Sequence, residues 1–166
     1  MSGTRDAQRS ELVKDGDQKP FSVVQTNFDE RSAQFSPDEK WIAYQSNESG
    51  RSEIYVQPFP GPGRKTRIST NGGAQVRWRR DSKELFYIER NGRLMATPIK
   101  LPATGEFVEA GEPIPLFVTR VARGIVEHPD GQQYVVSADG QLFLINTLVE
   151  QPDSPITVIV NWKLKP

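Results

Sequence analysis

Apolar residues in this chain come in short runs, one about every ten positions. They are FSVVQT (21–26), AQF (33–35), WIAYQ (41–45), EIYVQPF (53–59), TRIS (66–69), AQVRW (74–78), ELFYIE (84–89), RLMATPI (93–99), EPIPLF (112–117), QQYVV (132–136), QLFLINT (141–147) and ITVIVNW (156–162). No window sustains the i, i+3, i+4, i+7 spacing of an amphipathic helix. Turn signals separate the runs: Ser36-Pro37-Asp38, Asn71-Gly72-Gly73, Asn91-Gly92, Asp130-Gly131 and Asp139-Gly140. Short β-rich runs with such punctuation predict an all-β chain, built as a sandwich, barrel or propeller. The clearest hairpin is LFYIERNGRLMATPI, with Asn91-Gly92 expected in a type I′ turn, where both central residues need positive φ.

Three stretches superimpose: FSPDEKWIAY (35–44), WRRDSKELFY (78–87) and VSADGQLFLI (136–145). Asp38, Asp81 and Asp139 align, as do Ile42, Leu85 and Phe143, at offsets of 43 and then 58 residues. The first offset suits a four-stranded propeller blade. The second is longer, and VARGIVEHPDGQ (121–132) is expected to form the extra loop. WIAY, LFYI and LFLI are continuously apolar, whereas a sheet with one wet face alternates. These strands are therefore expected to be buried on both faces, as the inner strands of radially stacked sheets are. Ser36-Pro37-Asp38-Glu39 suits a type I turn, with Asp38 accepting backbone N–H bonds. Glu39 and Ser82 stand where the third copy has Gly140; positive φ there implies strain of about 1 kcal/mol for a side-chain-bearing residue.

Composition narrows the field. The chain has 166 residues, with Lys plus Arg 21 and Asp plus Glu 21, for a net charge of zero. That balance removes the whole-chain electrostatic case for nucleic acid or an anionic membrane. There is no Cys, so neither disulfides nor thiolate chemistry enters. The first twenty residues hold no apolar core of signal-peptide length, and runs such as LFLI are too short to span a bilayer. The chain as given reads as soluble, with its compartment open.

The segment FSPDEKWIAYQSNESGRSEIYV resembles the TolB-like, WD40-like β-propeller repeat of bacterial proteins, whose hallmark is a Phe-Ser-Pro-Asp-Gly turn before an Ile-Ala-Phe/Tyr strand. Residues 44–88 and 136–166 are similar to the C-terminal propeller of bacterial eukaryotic-like serine/threonine protein kinases. The resemblance covers roughly 17–166 and departs from the family at Glu39 and Ser82, where the turn Gly is usual. It implies a partial propeller of about three four-stranded antiparallel blades, near 28–69, 70–118 and 119–164. Residues 1–16 then read as a remnant of a preceding blade or a tail, and RSELVKDGDQKPF is similar to the last two strands of such a blade. Kinase activity does not transfer: no Gly-rich loop, Val-Ala-Ile-Lys, His-Arg-Asp or Asp-Phe-Gly motif is present.

Candidate chemistry is sparse. His128 is the single His; Asp130 and Ser137 lie near it, but no Gly-x-Ser-x-Gly elbow accompanies them. One His without Cys argues against structural zinc. Asp15-Gly16-Asp17-Gln18 has too few oxygen ligands for calcium and suits a turn. No cofactor motif is found. Asn47-Glu48-Ser49 matches a glycosylation acceptor, and PFPGPGR (58–64) suits a stiff inter-strand loop. Arg64, Lys65, Arg67, Arg77, Arg79 and Arg80, with no acid before Asp81, form a candidate partner-contact patch. Trp78 within it aligns with Phe35, a packing position.

The expected function is a non-enzymatic scaffold or sensor surface for a protein, peptide or small ligand. The resemblance sets it in a kinase-type parent. The alternatives are an accessory propeller of a prolyl-oligopeptidase-like peptidase and a stand-alone scaffold in which two copies complete a ring. An open array of sheets leaves apolar faces uncovered, so self-association is expected.

Overall fold

The computed structural model describes residues 11–12, 21–23, 26–61, 63–102, 107–121 and 131–147. Every regular element among them is a β-strand, and all pairings are antiparallel. Strands β1 (Glu11–Leu12) and β2 (Phe21–Ser22) pair with each other. Strands β3 (Glu30–Phe35), β4 (Trp41–Ser46), β5 (Glu53–Pro58) and β6 (Thr66–Arg67) form a four-stranded sheet in chain order. A second sheet continues β7 (Ala74–Trp78), β8 (Glu84–Ile88) and β9 (Arg93–Lys100). The outer edge of β9 is shared by β10 (Glu109–Ala110) and β11 (Ile114–Val118), so this sheet has five strands. A third, two-stranded sheet holds β12 (Tyr134–Val136) and β13 (Phe143–Ile145). None of the sheets closes into a barrel.

Two of the three continuous apolar runs, WIAY and LFYI, are covered on both sides; the third, LFLI, is not, with Leu142 and Leu144 exposed at 72% and 76%, because the described residues place no sheet beyond it. All six residues of β4 are buried. Trp41 and Ala43 join Ile54, Val76, Leu85 and Tyr87 in a core between the first and second sheets. Ile42 and Tyr44 point the other way, to Tyr55, Val23 and Phe59. Strand β8 repeats the arrangement one sheet later. Leu85 and Tyr87 face the first sheet, while Phe86 and Ile88 face Tyr134, Phe143 and Ile145 of the third. Burying each such side chain contributes about 1.5–3 kcal/mol. Stacking thus fixes the sheets, since neither face of a middle sheet meets water.

The three Asp turns share one geometry. Glu39, Ser82 and Gly140 donate their N–H to the carbonyls of Ser36, Arg79 and Ser137, at 2.8, 3.0 and 2.9 Å. Their φ values are +58°, +60° and +75°. Each is a type I turn followed by a left-handed residue, the usual three-residue hairpin loop. Asp38, Asp81 and Asp139 accept from the backbone N–H of Lys40, Lys83 and Gln141 at 3.3, 3.0 and 3.1 Å.

Two local features differ from expectation. The Asn91-Gly92 loop is not type I′: Gly92 has φ +85°, and Asn91 is not left-handed. Gly92 N–H donates to Glu89 O and Glu89 N–H to Arg93 O, so the loop has the same three-residue form as the Asp turns. Asn91 caps it by accepting from Arg93 N–H at 2.9 Å. The second feature is a bulge in the first strand of each large sheet. The register slips between Arg31 and Gln34 and between Ala74 and Arg77. Ser32 (φ +54°) and Gln75 (φ +56°) sit inside these slips. They are repeat-equivalent, so the bulge recurs with the fold.

Candidate partner-contact surfaces

The basic stretch is split by the fold. Arg64, Lys65 and Arg67 lie exposed beside the outer strand of the first sheet. Lys65 pairs with Glu48 and stands 5.7 Å from the Tyr55 ring. Arg79 is half-buried and grips Asp81 through two bonds of 2.7 and 2.9 Å, with a third to Glu84 at 2.9 Å. That pairing holds the Asp81 carboxyl below its usual value and raises Arg79. Arg80 is exposed on the same turn. Trp78 is buried and donates from Nε1 to Gln34 O at 3.3 Å, so it packs between sheets.

Arg77 is only 6% exposed, and burial lowers its pKa. Its Nη1 donates to Val76 O at 2.6 Å and its Nε to Tyr134 O at 3.3 Å, while its guanidinium lies 5.3 Å over the Tyr134 ring. One repeat earlier, Gln34 has the same task. With its amide in the orientation that satisfies both groups, Gln34 donates to Val76 O at 3.3 Å and accepts from Arg77 Nη1 at 3.1 Å. Gln75 adds a further tie, accepting from Gln133 N–H through Oε1 at 2.9 Å. The inner strands β3, β7 and β12 are thus stitched by side chains that reach the next sheet's backbone.

A second joint uses Glu53, which is fully buried. Its carboxylate accepts from Gly72 N–H at 3.1 Å, from Arg51 Nε at 2.7 Å and from the Ser69 hydroxyl. Ser69 Oγ in turn accepts from Ile54 N–H at 2.8 Å. This closes the passage from the first sheet to the second.

Two features of the described surface could receive a partner. A groove of about 700 Å³ runs between the turns at Asp38 and Asp81, with Arg80, Lys83 and Lys100 at its rim and Ile99 and Leu101 along it. Lys100 pairs with Glu109 at 2.9 Å. Among the described residues, Arg80 and Lys83 have no carboxylate within ion-pair distance. The other is the outer edge of the second sheet. All five residues of β11 are exposed, four of them apolar, with Val118 at 61%. Phe117 contacts Phe143 edge-to-face at 5.7 Å.

His128, Asp130 and Asp15 to Gln18 lie outside the described residues. So does most of the 121–132 loop and the run 156–162. Sequence reasoning missed the Gln34, Gln75 and Glu53 ties. Extending the repeat alignment by one residue pairs Gln34 with Arg77, and two long polar side chains at one repeat position were the available signal.

No family model matches this chain, and no curated protein does. Among solved structures it is similar to a Bacteroides uniformis protein provisionally assigned as a 6-phosphogluconolactonase, with a TM-score of 0.51 at 14% identity. The match covers 82% of this chain and 40% of that one, so this chain spans less than half of the neighbour's length. The expectation of a chain without enzymatic activity is corrected here, because the matched fold occurs in a protein assigned as an enzyme. The physical reason is general. Catalytic groups on stacked sheets are gathered from loops far apart in sequence, so the lack of a contiguous motif does not exclude them.

Proposed function

We propose that the chain is part of a β-propeller of the TolB and WD40 type, contributing about three blades, and that it serves as a protein- or peptide-binding module. Two stacked sheets with equivalent turns, bulges and inter-sheet ties support the blade reading. The sequence resemblance favours a sensory region of a serine/threonine-kinase-type parent over an accessory propeller of a peptidase. The observation that carries the binding role is β11, an exposed apolar edge strand with no strand on its outer side among the described residues. Such an edge is a template for an extended peptide, which would add main-chain hydrogen bonds and fill pockets between alternate side chains.

The test is a peptide-library selection against the chain, followed by binding to an Ile114→Lys/Val118→Lys variant. Both positions are exposed, so the variant should keep its fold, which circular dichroism checks. Enriched extended apolar peptides should lose about tenfold or more in affinity for the variant. No enrichment, or equal binding to both proteins, discards the edge as the site.

A second reading rests on the groove and on the matched structure. Arg80 and Lys83, which have no carboxylate within ion-pair distance among the described residues, stand beside an apolar strip, which suits a phosphorylated sugar-acid lactone or its hydrolysis product. Calorimetric titration with 6-phosphogluconate, repeated on Arg80→Ala, tests it. Absence of binding removes this reading and leaves the peptide one standing.

A further inference from the structure

The chain holds two Asn-Gly pairs, Asn71-Gly72 and Asn91-Gly92, and the fold treats them differently. An Asn side chain is open to attack by the backbone nitrogen of the next residue, which closes a succinimide ring. Gly hinders this least, because no Cβ screens its nitrogen. Closure needs an Asn side chain free to turn and a base placed to take the proton from that nitrogen.

Asn91 has neither. Its Oδ1 accepts from Arg93 N–H at 2.9 Å and its Nδ2 donates to Glu89 Oε2 at 2.6 Å, so both ends of the amide are tied. Gly92 N–H donates to Glu89 O at 2.9 Å. A peptide carbonyl accepts that hydrogen bond but is too weak a base to take the proton.

Asn71 has both. It is exposed, and its side chain makes no hydrogen bond among the described residues. The backbone around it is pinned: Thr70 O accepts from Arg51 Nη2, and Gly73 N–H donates to Ser52 O at 2.9 Å. Gly72 N–H points at the Glu53 carboxylate, and both carboxylate oxygens stand 3.1 Å from the nitrogen. That is within the reach a general base needs. A carboxylate, unlike a peptide carbonyl, can accept the proton outright.

We infer that Asn71-Gly72 is a self-modification site with Glu53 as its general base. Gly72 N bonds to Asn71 Cγ as its proton passes to Glu53. The Cγ–Nδ2 bond breaks, and the departing nitrogen takes a proton from water and leaves as ammonia. The hydroxide so formed accepts the proton from Glu53, which restores the carboxylate. Water then opens the ring and leaves aspartate or isoaspartate at position 71. Isoaspartate lengthens the backbone and draws Gly72 N–H away from Glu53, so conversion loosens the joint between the first two sheets. The site shares no residue with β11 or with the groove, so it stands apart from both functional readings.

Timed incubation of the folded chain at neutral pH, followed by peptide mapping with mass spectrometry, tests this. Asn71 should convert about tenfold or more faster than Asn91. Glu53→Gln still offers an oxygen to Gly72 N–H but cannot take its proton. It should lower the Asn71 rate, relative to Asn91 in the same sample, by about tenfold or more. A second readout needs only the wild type. With an internal base the Asn71 rate should stay level across the neutral range, whereas in the urea-unfolded chain it should rise about tenfold per pH unit, as closure driven by hydroxide does. Asn71 converting no faster than Asn91 overturns the proposal. So does a ratio that Glu53→Gln leaves unchanged or raises, which would make Glu53 a shield. A folded-state rate that climbs with hydroxide as steeply as the unfolded one overturns it too.

Discussion

Arg77 and Tyr134 are 57 residues apart, yet the Arg77 Nε donates to the Tyr134 carbonyl at 3.3 Å. The guanidinium also lies over the Tyr134 ring. A buried cation is costly unless its donors are used. Here backbone carbonyls and an aromatic face replace a carboxylate, and the residue joins the second sheet to the third. Arg77→Ala should therefore destabilise the chain by about 1–3 kcal/mol in urea unfolding. Arg77→Gln, the side chain that the first repeat uses at Gln34, should cost less. Equal losses from both would separate Arg77 from the tie.

The turns make a prediction of sign. Glu39 and Ser82 hold φ near +60° without being glycine. Glu39→Gly and Ser82→Gly should each stabilise by up to about 1 kcal/mol. Gly140→Ala should do the opposite. Its new Cβ would stand 2.8 Å from Arg79 Cδ and 3.1 Å from Phe86 Cζ, at a φ of +75°. Thermal melts of the three variants check this, and a loss of stability in Glu39→Gly would contradict it.

Glu53 and Arg51 form one ion pair with unequal partners. Glu53 is sealed off, whereas the Arg51 side chain is 54% exposed. Removing the carboxylate strands the Gly72 N–H, so Glu53→Ala should cost about 2–3 kcal/mol. Arg51→Ala leaves a carboxylate that still accepts from Gly72 and Ser69, and should cost about 1 kcal/mol or less. Chemical denaturation of both variants separates the pair's two halves.

Two carboxyl groups should shape the acid side of the stability profile in opposite ways. Burial raises the Glu30 pKa above 4.5, with help from Glu48 and Asp29 and opposition from Thr26 and Lys65. Its folded state favours the proton, so its contribution is present below the unfolded value and lost as pH rises through the folded one. Glu30→Gln should then stabilise at neutral pH. Asp81 is lowered below 3.8, chiefly by Arg79. Its contribution is present above the unfolded value and lost as pH falls through the folded one. Asp81→Asn should flatten the profile below pH 3.8 and leave the window of Glu30 unchanged. Melting temperatures across the acid range distinguish the two.

Strands that pack on both faces were the most legible part of the sequence. WIAY announced its double burial through a continuous apolar run, and the Asp turns were legible through side chains that bond the backbone. The Asn91-Gly92 loop was misread because Asn-Gly also suits a type I turn followed by a left-handed Gly, and dipeptide identity does not separate the two. The bulges were invisible. Ser32 and Gln75 are not residues that signal positive φ, and only pairing across the sheet puts them there. The candidate patch was legible as charge but not as geometry. Arg77 lies on its strand inside the sheet stack and Arg79 begins the turn, which places one between sheets and the other half-buried against Asp81 and Glu84. Exposure of β11 depends on what lies beyond its edge, which no local pattern encodes.

Central to the account is the repeated tie between inner strands. Nuclear Overhauser contacts report it directly. The Trp78 indole N–H should show contacts to the Gln34 backbone, and Arg77 Hε should contact the Tyr134 ring and resonate upfield from ring-current shielding. Both should appear in one sample with slow solvent exchange. A freely exchanging Arg77 Hε at an unshifted position, with no contact to Tyr134, would contradict the stacked-sheet register.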